Sequence, residues 1–76
     1  MNKESIRKLV LTVFKEEREA STDYMDRWGV LNRAFDRIHD YMKSNTTEYE
    51  VKWNGTNLVT IKYGDNTVEV DLNETI

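Results

Sequence analysis

"DYMDRWGVLNRAFDRIHDYM", residues 23–42, is the stretch on which the fold turns. Tyr24, Trp28, Leu31, Phe35, Ile38 and Met42 step by four and three in alternation, the spacing of one helical face. Val30, Ala34 and Tyr41 draw a second apolar line beside the first. At roughly 100° per residue the two lines together cover nearly half the circumference. A helix that apolar needs two neighbours, so the stretch reads as the spine of a layered domain.

Upstream, Ile6, Leu9, Val10, Val13 and Phe14 share one face of a helix expected over residues 3–19, which the charged run KEERE closes. "ASTD", residues 20–23, offers a break. Ser21 or Thr22 can accept from the first free N–H groups of a second helix, and Asp23 suits its positive end. The second helix is expected over residues 22–43. The rival is one continuous rod of about 40 residues, about 60 Å long, which only an oligomer could cover. Gly29 inside the second helix costs ~1 kcal/mol against alanine. It is either a tolerated glycine or a point of close backbone approach.

Downstream, near residue 45, the hydrophobic period changes from helical to alternating. Tyr49, Val51 and Trp53 oppose Glu48, Glu50 and Lys52; Val59, Ile61 and Tyr63 oppose Thr60 and Lys62; Val68, Val70 and Leu72 oppose Thr67, Glu69 and Asp71. "NGTN" (54–57) and "GDN" (64–66) are turn signals between them. Strands are therefore expected over residues 47–53, 58–63 and 67–72, with a tail at 73–76. The expected fold is α+β: two helices followed by a three-stranded antiparallel β-meander (ααβββ), with helix 2 packed between helix 1 and the sheet, as a single domain over residues 1–76.

Composition narrows function more than it names it. A chain of 76 residues buries only about 60% of its unfolded surface. It has no cysteine to brace it by a disulfide or thiolate metal site, and a single histidine leaves little for zinc. The net charge of −3 argues against a nucleic-acid binder. Residues 1–43 are close to neutral, whereas residues 44–76 carry six acids and two bases. No apolar run approaches a membrane span of about 18 residues. The apolar run near the start passes directly into KEERE without a small-residue cleavage site, and so reads as helix rather than signal peptide. A cytoplasmic location is expected.

The inventory for catalysis is poor. His39 has Asp36 and Asp40 near it, but only Asp36 has the helical spacing that lets two side chains share a ligand. No serine stands in a nucleophile motif, and no glycine-rich phosphate loop occurs. The expectation is a protein that is not an enzyme and takes no cofactor or metal.

Binding surfaces are the remaining candidates. Leu11 stands about 140° from Ile6 on the first helix, among Arg7, Lys15 and Arg18, with Phe14 at the border of the same ridge. Apolar anchors framed by arginine are typical of interface centres, so Arg7, Leu11, Phe14, Lys15 and Arg18 form the expected partner-binding patch. In a homodimer Leu11 would instead meet its copy. The same basic ridge could contact nucleic-acid phosphates, though Glu16, Glu17 and Glu19 dilute it. A secondary acidic face, Glu48, Glu50, Glu69 and Asp71, is expected on the open side of the sheet. The reading is a small binding protein, a regulator or inhibitor acting on another protein; a structural or oligomerisation module is the other alternative. In composition it resembles the small accessory proteins that bacteriophages and other mobile elements encode.

Overall fold

The computed structural model describes residues 2–21, 26–55 and 57–73. Helix α1 spans Lys3–Ala20 and α2 spans Arg27–Asn45; strands β1 (Tyr49–Trp53), β2 (Leu58–Tyr63) and β3 (Asn66–Asp71) follow. The strands form one antiparallel sheet in the order β1-β2-β3. No described helix is long and apolar enough to cross a membrane.

Each helix starts where a side chain captures a free backbone donor. The Asn2 carboxamide oxygen accepts from the Ser5 N–H at 2.8 Å, and Glu4 and Arg18 lie at the ends whose dipole charge they complement. At Ser21 the backbone becomes extended (φ −76°, ψ 128°), which ends α1 and rules out the continuous rod. The second helix begins later than expected. Its cap is Asp26, whose carboxylate accepts from the Gly29 N–H at 3.1 Å, and not Ser21, which closes α1. Thr22, Asp23 and Tyr24 lie outside the described residues, so their expected roles as cap and stripe fall there too.

Gly29 is the point of close approach, and the approaching group is the cap itself. A Cβ at residue 29 would collide with the Asp26 carboxylate, whose Cγ would stand 2.6 Å away. Thermal or urea melts test this packing. Asp26→Ala is expected to cost about 1 kcal/mol through loss of the cap. Gly29→Ala displaces the same carboxylate but gains about 1 kcal/mol of helix propensity, so it should be nearly neutral. In the Asp26→Ala background, where nothing remains to displace, Gly29→Ala should stabilise by about that amount. Equal effects in both backgrounds would contradict this geometry.

The two hairpins register as the alternation requires. Val51 pairs with Ile61 and Trp53 with Val59, while Val59 pairs with Val70 and Ile61 with Val68. The β2–β3 turn has two residues between the pair Tyr63 and Asn66, with Gly64 at φ 55°, the sign that a side chain there would resist. Beyond the end of β3 the Leu72 N–H still donates to the Asn57 carbonyl at 2.7 Å, which keeps Leu72 seated in the core.

Both helices lie on one face of the sheet. α2 touches α1 and β1, and α1 also lies along β3, so the middle strand runs beneath the seam between the helices. The fully enclosed centre is Ile6, Val10, Ala34, Ile38, Met42, Val59, Ile61 and Val70. The question set by the second line of α2 has a direct answer. Val30, Ala34 and Tyr41 share a side of α2 with Arg33 and Arg37, whose guanidinium groups reach Glu17 at 3.7 Å and Glu16 at 3.0 Å on α1. The second line therefore lies on the side of α2 whose arginines reach α1, with Ala34 fully buried, while Phe35 of the first line meets Phe14 of α1. The Arg37–Glu16 pair edges the seam in solvent and is worth about 0–1 kcal/mol, whereas Glu17 of the other pair is largely covered.

Candidate functional site

The expected patch on α1 is not a surface patch. Leu11 is only 8% exposed and Phe14 2%, and both belong to the core. The expectation erred because it gave α1 one neighbour. A second one, β3, reaches the flank on which Leu11 stands. Arg18 marks that flank: its guanidinium donates to the Leu72 carbonyl, just past β3, at 3.4 Å. Arg7 is half-buried, and only Lys15 and Arg18 of the five stand exposed. Leu11 is thus covered by its own chain and is not available to meet a copy of itself.

The open sheet face is mixed rather than acidic. Glu50 stands opposite Lys62 and pairs with Lys52 at 3.1 Å; Glu69 stands opposite Thr60, whose other neighbour is Lys52. Asp71 is opposite the half-buried Leu58 and accepts from the Asn73 N–H at 2.9 Å. Glu48 is exposed just before β1. Strand pairing brings the lysines between the acids, so the four carboxylates never form a continuous negative row.

His39 is exposed, with Nδ1 3.2 Å from the Tyr49 hydroxyl and the two rings tilted at 5.5 Å. Asp36 and Asp40 are exposed. Among the described residues no three metal-binding side chains come together.

A groove lies at the other end of the molecule, where the C-terminus of α1, the first turn of α2, the β1–β2 turn and the end of β3 converge. Its apolar lining is Phe14, Val30, Leu31, Trp53 and Leu72. Trp28 stands at its wall, its ring edge-on to Trp53 with centroids 5.8 Å apart and planes at 89°. Arg18 and Arg27 are the lining cations, and Asp26 the one lining acid among the described residues. Two residues of the expected patch, Phe14 and Arg18, are brought here; Arg7, Leu11 and Lys15 are not.

No family model, curated protein or solved structure matches this chain.

The groove therefore has to be read from its own chemistry. Trp28 was expected in the core stripe, yet it is 68% exposed, the one large apolar side chain so exposed among the described residues. The stripe runs off the end of the packed region: α2 begins at Arg27, so Trp28 sits in its first turn, where it leans on Trp53. A signal for this was present in the sequence. Aspartate is among the residues preferred at an N-cap, and taking Asp26 as the cap places Trp28 at a helix start instead of mid-helix.

Proposed function

We propose that this protein is a small non-enzymatic binding protein of the cytoplasm, a regulator or inhibitor that docks another protein on the groove walled by Trp28 and Trp53. The observation that carries the reading is the exposed Trp28, set against a second tryptophan and beside two arginines. Tryptophan and arginine dominate the residues whose loss weakens protein interfaces, and a large apolar side chain left in water is worth covering. The absence of cysteine fits a reducing compartment.

Capture from cell extract with wild type, Trp28→Ala and Lys62→Glu tests the reading. A partner held by wild type and by Lys62→Glu, lost with Trp28→Ala, and rebound after purification is the expected result. Trp28→Ala should itself cost only about 0.5–1.5 kcal/mol of stability, the worth of one edge-to-face ring pair, so the fold survives as a control. A partner that ignores Trp28→Ala and is lost with Lys62→Glu would move the function to the open sheet face and refute the proposal.

A further inference from the structure

We propose, resting on that docking reading, that the groove takes a short acidic segment of the partner, bearing one large apolar side chain beside its carboxylates. The first support is the charge left over in the lining. Of Arg18, Asp26 and Arg27, the Asp26 carboxylate is already committed: one oxygen accepts from the Gly29 N–H at 3.1 Å, and the other pairs with Arg33 at 3.5 Å. Among the described lining residues two cations, Arg18 and Arg27, therefore outweigh one acid around an apolar floor, with Arg18 also held by the Leu72 carbonyl. That local sign is opposite to the −3 of the whole chain, so a partner chosen by the general charge would be basic and one chosen by the groove is acidic.

The second support is where the fold gives up stability. Arg27 is the first residue of α2, and the first turn of that helix holds no acid. A cation there opposes the positive end of the helix dipole. Its neighbour Trp28 keeps most of its surface in water. Two adjacent residues that each work against local stability, and that open into the same groove, are the pattern expected where binding sets the residue choice. The floor of Phe14, Leu31 and Leu72 supplies the apolar contact, and the guanidinium groups supply planar donors that match a carboxylate.

Two other ligand chemistries fit less well. An alkylammonium needs aromatic faces held apart, whereas Trp28 and Trp53 are already in edge-to-face contact, and the cations beside them repel it. A nucleic-acid strand gains affinity from a track of cations along many phosphates, and this groove holds two.

The test uses the full chain and an array of fluorescein-labelled peptides of equal length. Each has a central leucine, phenylalanine or tryptophan, flanked by aspartate and glutamate, by their amides, or by lysine; labelled oligothymidylate is included. Fluorescence anisotropy is read at low and moderate salt. At least one acidic peptide should bind about tenfold tighter than its amide counterpart, with the lysine peptides weakest. Arg27→Glu should reverse that order, and Trp28→Ala should weaken all peptides about tenfold or more. Acidic and amide peptides binding alike, an order unchanged by Arg27→Glu, or no acidic peptide binding at all would each overturn the acidic specificity. If binding is indifferent to charge yet still lost with Trp28→Ala, the docking reading stands without it. Peptide binding that survives Trp28→Ala at full strength brings down both. Oligothymidylate binding tighter than any peptide and collapsing with salt would replace both with nucleic-acid recognition.

Discussion

Phe14→Ala is expected to lower the free energy of unfolding by about 3–5 kcal/mol. A domain of this length has about 4–11 kcal/mol in total, at roughly 0.05–0.15 kcal/mol per residue, so the loss is a large fraction of the whole. Three contacts are lost together. Phe14 is 2% exposed, and its ring meets Phe35 of α2 edge-on, with centroids 5.9 Å apart and planes at 85°. It also belongs to the flank by which α1 lies on β3, and it forms part of the groove floor. Removing it opens a cavity where three elements meet, and backbone relaxation in one of them cannot close the gap to the other two. Urea denaturation followed by circular dichroism gives the number directly. A loss under about 1 kcal/mol would mean that α1 is not seated where the structure places it.

Leu11→Glu gives the second large effect, and it separates the two pictures of α1. On a surface ridge the change would alter stability by no more than about 0.5 kcal/mol. Leu11 is instead 8% exposed, against the element that covers that flank. A carboxylate placed there loses much of its water and the apolar contacts of the leucine, and Arg7 and Lys15, one turn to either side, offset only part of that, so the expected cost is on the order of 2–4 kcal/mol. Lys15→Glu, one turn later and exposed, is the matched control and should change little. The comparison needs no knowledge of the partner. If Leu11→Glu melts with wild type, the flank of α1 is free, and the patch read from the sequence returns as a candidate surface.

The fold was legible because its signals were periodic. The change from a helical to an alternating pattern near residue 45, and the broad apolar arc of α2, are each carried by many residues, so no single misreading could overturn them. Errors came where one residue decided. Two capping signals competed before α2, and the winner was the one paired with a glycine that leaves room for its carboxylate, Asp26 with Gly29. That choice moved Trp28 from mid-helix to the first turn and out of the core. Leu11 was misplaced for a different reason. A helical wheel reports an angle, and whether that angle is wet depends on which strand returns to cover it, a contact between the first and last elements that no local pattern contains. The groove was illegible for the same reason, since its lining comes from four separate parts of the chain.

The seating of α1 on β3 also dictates when the fold can be completed. Every other close backbone approach between elements joins sequence neighbours: α1 with α2, α2 with β1, β1 with β2, β2 with β3. These can form early and locally, because short loops cost little entropy to close. The remaining contact closes a ring of five elements and must wait for the last of them. During synthesis the Leu11 flank therefore lacks its cover until β3 has emerged, while Phe14 has only its contact with Phe35 of α2, and a chain halted before β3 would expose part of a greasy helix face to its neighbours.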